Sequence, residues 1–286
     1  LPVGAVNMFA ETGNEGAKEL VASSAVDVIS YTGSTEVGKL IMQAGASTMK
    51  RMNLELGGSA PCLIYPDADL DKLVPGLVFA GLFICGQQCV AASRLVIHDS
   101  IVGELTDRFC NAMQKVKVGP GIDPATQMGP MIDAKSRDRI VGMIDGESND
   151  VEWVLRGHKP GGALADGYFV TPSLARVHQR THELVNAEVF GPILTIQSFD
   201  SDEEALSIAN QTRFGLAASV WTRDLRHAQH MARRIASGTV WLNKHGQLHA
   251  EVETGGYKES GLGRLHGVEG LSEFMQTKHI SWETAL

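Results

Sequence analysis

Strand-like and helix-like patterns alternate twice along this chain, and no other feature limits the possible folds as much. Residues 26–31 form a compact β-rich run, residues 35–44 place apolar Val37, Leu40 and Ile41 at helical spacing, and residues 50–56 are again strand-like. A strand, a helix and a strand with short connections predict a βαβ unit on a parallel sheet, preceded by a short helix at 15–23. After Gly57-Gly58 the composition shifts and the alternation resumes. Helices are predicted at 67–80, 101–116, 133–145, 201–210 and 225–235. Strands are predicted at 94–98, 151–155, 168–174, 193–199, 217–222 and 239–243, with a Gly-rich hairpin loop at 157–167. This second series predicts another sheet domain, so the fold class is α/β.

A chain of 286 residues can bury a large core and suits two domains. Its net charge of −8 gives no basic footprint for nucleic acid or an anionic membrane. The longest apolar run, 73–85, is too short to span a bilayer and contains Pro75, Gly76 and Gly81. The sequence shows no signal peptide. Four cysteines, Cys62, Cys85, Cys89 and Cys110, lack a paired C-x-x-C pattern, which fits a reducing, cytoplasmic setting better than a disulfide framework. Cys85 and Cys89 could share a helix face, but two thiols without a partner at ligand spacing make a weak metal site.

Three stretches hold candidate chemistry. Gly86-Gln87-Gln88-Cys89, closed by Ser93-Arg94, offers a thiol in a Gly-containing loop. A thiolate can add to a carbonyl, although a lone cysteine is more often a small core residue. Glu55, in Leu54-Glu55-Leu56-Gly57-Gly58, is a charge enclosed by apolar residues at a strand end. Burial there would raise its pKa toward that of a general base, and a solvated edge position is the equal alternative. Thr32-Gly33-Ser34-Thr35 follows a strand and opens a helix, a place that suits a phosphate or simply a well-capped turn. Loops around Glu188 and at 255–263 are rich enough in glycine to let backbone approach a ligand.

Taken in order, these segments resemble the C-terminal part of the aldehyde dehydrogenase superfamily. Residues 30–38, Ser-Tyr-Thr-Gly-Ser-Thr-Glu-Val-Gly, resemble its cofactor-contacting turn, and Leu54-Glu55-Leu56-Gly57-Gly58 its general-base motif. Gly86-Gln87-Gln88-Cys89 resembles the nucleophile motif, Glu188-Val189-Phe190-Gly191-Pro192 the nicotinamide-ribose loop, and 255–264 the family tail. The 34-residue interval from Glu55 to Cys89 also fits. The resemblance implies the end of a Rossmann-like parallel-sheet cofactor domain at 1–57 and an α/β catalytic domain at 58–259. It also implies a return segment at 260–276 and an oligomerisation strand and tail at 277–286, the strand being roughly 277–282.

The resemblance implies oxidation of a small-molecule aldehyde to a carboxylic acid with NAD or NADP, through a thiohemiacetal and thioester on Cys89. Glu55 would activate the hydrolytic water, and the Cys89 amide would donate to the oxyanion. Gly33, Ser34 and Leu56 are assigned to the cofactor site, with Glu188 on the nicotinamide ribose and Phe190 beside it. Assembly into a homo-oligomer is implied through the C-terminal strand. An acylating relative that uses coenzyme A would usually lack Glu55.

The chain opens Leu1-Pro2-Val3-Gly4, as if cut from the interior of a longer protein, and the first strands of the family's cofactor domain, a second oxyanion donor and the adenosine-ribose residues have no counterpart here. The expectation is therefore weak cofactor binding and little turnover by this polypeptide, with a non-catalytic fragment serving assembly or binding as the alternative. Local departures are Ile84 where the family often has Asn, Ser59 for Lys, and Glu253-Thr254 for Pro-Phe. With polar and cationic groups at 243–249, these favour a polar or anionic aldehyde over a bulky aromatic one.

Overall fold

The structure is a computed structural model that describes residues 1–283 except residue 147. Helix α1 (Glu15–Ala22), strand β1 (Val28–Thr32), helix α2 (Thr35–Gly45) and strand β2 (Arg51–Glu55) form the expected βαβ unit, with β1 and β2 parallel. Ser34 caps α2 by accepting a hydrogen bond from the Val37 amide, 3.3 Å. Apolar side chains of this unit, Phe9, Leu40 and Met42 among them, stay exposed.

The second series is longer. It runs β3 (Pro61–Ile64), α3 (Leu70–Leu82), β4 (Arg94–His98), α4 (Val102–Gln114), α5 (Ala134–Asp145), β5 (Val151–Leu155), β6 (Ser173–Val177), α6 (Glu183–Asn186) and β7 (Ile193–Phe199). Helix α7 (Asp202–Asn210), β8 (Ala217–Trp221), α8 (Leu225–Arg234) and β9 (Thr239–Leu242) complete it. The strands make one sheet in the order β5-β6-β7-β4-β3-β8-β9, parallel throughout except for β5 against β6.

Helices cover both faces of this sheet, so β3 and β8 are buried at every residue rather than at alternate ones. Cys62, Ile64, Leu95 and Ile97 point toward α3, α4 and α5, while Leu63, Val96, Ala218 and Val220 point toward α7 and α8. Two neighbouring residues of one strand thus enter two different cores, as the two-residue period requires. No helix among the described residues is long and apolar enough to cross a membrane.

Two local features depart from expectation. Strand β3 was not foreseen: four apolar residues beginning with proline carry no period, and proline is tolerated because it is the first residue of the strand. The strand expected at 168–174 begins only at Ser173, because Pro172 cannot donate to a ladder. Residues 277–283, which include the segment expected at 277–282 to pair with another subunit, are exposed without regular structure. A strand exists only against a partner, and this segment has none among the described residues; residues 284–286 of the expected tail lie outside them.

The two sheets are joined by the chain's return. Strand β10 (Gly261–Leu262) adds antiparallel to β2, opposite Glu55 and Leu54, and helix α9 (Gly267–Ser272) follows. Arg51 reaches the carbonyls of Ser272, Glu273 and Met275. Between the units, Glu259 accepts Lys39 at 2.9 Å and Arg213 at 3.0 Å, and Arg213 also meets Glu36 at 3.2 Å.

Arg94, first residue of β4, is 1% exposed and faces no carboxylate. Its guanidinium donates to the carbonyls of Ser59 (3.1 Å), Ile208 (2.9 Å) and Ala209 (3.1 Å). The last two belong to the final turn of α7, where unpaired carbonyls attract a cation. Burial lowers its pKa to about 10, which still leaves it charged at neutral pH. A lysine cannot fork to three carbonyls. Arg94→Lys is therefore expected to cost about 3 kcal/mol of unfolding free energy in a urea titration, two charge-assisted bonds being lost.

Candidate functional site

The site lies where β2 hands over to β3. Glu55 ends β2, and Gly57-Gly58 then crosses to the second sheet. Glycine is required there by close approach. A Cβ on Gly58 would stand 2.3 Å from the Cys89 carbonyl oxygen, and one on Gly57 would stand 2.4 Å from Glu188 Oε2. The Gly58 amide donates to Glu188 Oε1 at 3.1 Å. The three candidate groups from distant parts of the sequence, Glu55, Cys89 and Glu188, thus converge on one dipeptide, and both carboxylates act on the Cys89 thiol.

Each of the three is shifted by burial. Burial raises the Cys89 thiol pKa, the charges of Glu188 and Glu55 raise it further, and the backbone amides of Cys89 and Val90 oppose them. Glu55 is raised by burial against a modest pull from Arg264, and its Oε1 is buried with no hydrogen-bond partner. Glu188 is also raised chiefly by burial, against the Gly58 amide.

The loop carrying Cys89 is reached through three consecutive left-handed residues, Ile84 (φ 51°), Cys85 (φ 57°) and Gly86 (φ 70°). Glycine suits the third, since a Cβ there would meet the Gly191 carbonyl at 2.2 Å. The helix face expected to unite Cys85 and Cys89 does not exist, because these φ values end the helix before Cys85. All four cysteines are free. Among the described residues no cluster of three or more metal-ligating side chains occurs.

The remaining predicted residues fall nearby with mixed geometry. The Gly33 amide donates to the Glu55 carbonyl at 3.0 Å, with the Tyr31 hydroxyl over Gly33. Ser34 serves as helix cap. Leu56 is buried against Gly38 of α2, and its amide is taken by the Ser260 carbonyl at 2.9 Å. Phe190 is half-exposed at φ 48°. Arg139 donates to the Val189 carbonyl at 2.7 Å and so secures the loop carrying Glu188. Sequence reasoning missed Arg139, whose only signal is a cation on a helix far from the loop it holds.

The departures acquire structural roles. Ser59 is buried and offers its carbonyl to Arg94. Glu253 accepts the Val268 amide at 3.0 Å and the Glu269 amide at 3.3 Å, at the start of α9. His245, counted among the polar groups of its loop, faces the interior instead, with Nε2 2.7 Å from the Val90 carbonyl.

The aldehyde dehydrogenase family profile matches residues 1–280. The chain is 36% identical to the betaine aldehyde dehydrogenase of Bacillus subtilis over 282 residues, 98% of this chain and 58% of that protein. It is 35% identical over 280 residues to the Bacillus subtilis protein DhaS, covering 98% of this chain and 56% of that one. It thus spans a little over half the length of these curated relatives. Betaine aldehyde dehydrogenase from Staphylococcus aureus, solved in complex with NAD⁺, superposes with a TM-score of 0.89 at 35% identity, over 92% of this chain and 53% of that one. A second structure of that enzyme with NAD⁺ gives 0.90 at 35% identity over 94% and 54%.

Two outcomes follow from this geometry. Ile84 is 57% exposed, so its branched side chain gains little from burial while adopting a conformation that asparagine tolerates. Ile84→Asn is expected to raise unfolding free energy by about 1 kcal/mol, read by urea titration. Glu55 binds its proton more tightly folded than unfolded, so its contribution is fully present below the ordinary value of 4.5 and is lost as pH rises through the raised folded pKa. Glu55→Gln is expected to raise the urea midpoint at neutral pH and to leave it nearly unchanged in acid.

Proposed function

The chain belongs to the aldehyde dehydrogenase family, and on that premise we propose that it carries the catalytic residues of an NAD(P)⁺-dependent oxidation of a small aldehyde to its carboxylic acid. The observation that carries this reading is the meeting of Cys89, Glu55 and Glu188 around Gly57-Gly58, with Glu55 Oε1 buried and unpartnered.

The residues present fit the nicotinamide end of the cofactor. Glu188 spends one oxygen on the Gly58 amide and keeps the other beside Gly57, where no side chain intrudes. Glu188 would hold the ribose, Phe190 would pack beside it, and the α2 N-terminus with Gly33 and Ser34 would face the pyrophosphate. Leu56 supports this end from behind α2. When bound, NAD(P)⁺ supplies the acceptor for the hydride lost by the aldehyde carbon.

Cys89 acts as its thiolate, forming a C–S bond to the carbonyl carbon while its own amide donates to the oxygen that gains charge. Oxidation leaves a thioester on Cys89. Glu55, its pKa raised toward the useful range and Oε1 free, takes a proton from water as the water oxygen attacks the thioester carbon. The C–S bond breaks, and carboxylate leaves.

Substrate and assembly follow from the same chain. The loop 243–256 contains no Phe, Tyr or Trp, so it offers no aromatic cage for a quaternary ammonium, and a polar or anionic aldehyde suits it better than a bulky aromatic one. Ile280 and Trp282 are largely exposed, in keeping with pairing of residues 277–282 against another subunit. The open apolar face around Leu40 and Met42 is in keeping with weak cofactor binding and slow turnover by this polypeptide alone.

NADH formation from an aldehyde panel tests the proposal. Cys89→Ala is expected to reduce it by about 10³-fold or more, and Glu55→Gln to leave a burst of NADH while suppressing steady turnover. Turnover that survives Cys89→Ala would overturn the nucleophile assignment and favour a non-catalytic role. Micromolar NAD⁺ affinity with ordinary turnover would overturn the expectation of weak activity.

A further inference from the structure

His245 lies 155 residues beyond Val90 in sequence, yet its Nε2 is 2.7 Å from the Val90 carbonyl oxygen. A carbonyl can only accept, so Nε2 carries the proton. In a neutral ring Nδ1 is then an acceptor, and the Ser219 hydroxyl is 3.0 Å from it. Ser219 Oγ in turn accepts the Trp221 indole N–H at 2.9 Å, which leaves its own proton to point at the ring. Every donor and acceptor along Trp221, Ser219, His245 and Val90 is matched in one direction.

The surroundings keep the ring neutral and still. Burial lowers the His245 pKa to about 4. Cys62 Sγ stands 3.7 Å from Nδ1 and stays a thiol, its pKa raised to about 12 by burial although the Ser219 hydroxyl and, more weakly, Arg94 pull against that. Trp241 packs on the ring at 4.7 Å between centroids, and its indole N–H ties down the Gln247 carbonyl at 2.8 Å. Asn243 anchors the start of the loop through two bonds to the Thr222 backbone, 2.8 and 3.0 Å.

The carbonyl that His245 grips belongs to the residue after the thiol. Its turn is closed by the Ala91 amide on the Gln88 carbonyl at 3.0 Å. The Val90 amide is one of two backbone donors that favour the Cys89 thiolate, against burial and the charges of Glu55 and Glu188. The held carbonyl lies in the Val90–Ala91 peptide, across the Val90 Cα from the Cys89–Val90 peptide that carries this amide, so fixing it restrains the rotation about Val90 that would withdraw the donor. We propose that His245 is a positioning residue, whose Nε2–H holds the Val90 carbonyl and so keeps the Cys89-Val90 amides directed at the nucleophilic sulfur. The inference rests on Cys89 being the nucleophile.

The test is the alkylation rate of Cys89 by iodoacetamide as a function of pH in the intact chain, read by peptide mass spectrometry with Cys110 as internal reference. His245→Phe keeps a ring beside Trp241 and removes both nitrogens; it is expected to slow Cys89 about tenfold at neutral pH and to shift the profile upward, the worth of one hydrogen bond. His245→Gln, whose amide can donate to Val90 and accept from Ser219, restores most of the rate. Ser219→Ala, which removes the group that sets the tautomer, gives a smaller slowing of the same sign and answers the question if the Phe variant fails to fold. A Phe variant with the wild-type rate and profile, or Phe and Gln variants slowed equally, overturns the proposal. Wild-type Cys89 reacting no faster than Cys110 overturns the nucleophile reading itself, and the positioning role with it.

Discussion

The rest of the structure depends on one buried cation. Arg94 stands at the head of the central strand of the larger sheet, soon after the Cys89 turn, and its guanidinium is shared by the carbonyl that follows Gly57-Gly58 and the last turn of α7. A charge taken out of water costs several kcal/mol unless its donors are satisfied. Here satisfaction is possible only when the inter-sheet crossing, strand β4 and a helix from the opposite face are all in place. The same arrangement sets Cys89 against Gly58, so the demand of a buried charge and the alignment of the site are met by one geometry.

That geometry has an electrostatic cost at its centre. A thiol is enclosed with two carboxylates, and burial pushes all three toward their neutral forms. Only backbone amides favour the charged sulfur, so the reactivity of the thiol is governed by the orientation of peptide groups more than by any side-chain cation. Such groups are fixed by the fold around them. The left-handed run from Ile84 to Gly86, the Arg139 clamp behind the Glu188 loop and the His245 grip on Val90 all bear on the placement of backbone.

Much of this was legible in the sequence. The two α/β series follow from periodicity, Glu55 and Cys89 stood out by context, and Glu188 by the resemblance of its loop to a family motif, before their convergence was visible. What was not legible arises from contacts distant in sequence. Strand β3 is four apolar residues without a period, and its identity as a strand is conferred by β4 and β8 on either side. The Ser-Arg pair after the thiol was noticed, but nothing local says that the arginine would be buried among carbonyls. His245 looked like one more polar residue in a polar loop, because its partners come from β8 and from the turn after Cys89. The strand expected at 277–282 has no partner among the described residues, and pairing cannot be read from one side.

The return of β10 to β2 has a consequence for how the molecule comes to exist. Glu55 lies opposite Gly261, and the Asn53 side chain donates to the carbonyl of Arg264, 211 residues later. During synthesis, β2 therefore emerges long before the strand that completes its far edge. The general-base candidate cannot reach its final setting until almost all of these residues have left the ribosome. Contacts of such sequence separation close late and slowly. The waiting edge of β2 is a surface that a nascent chain must keep from pairing with another.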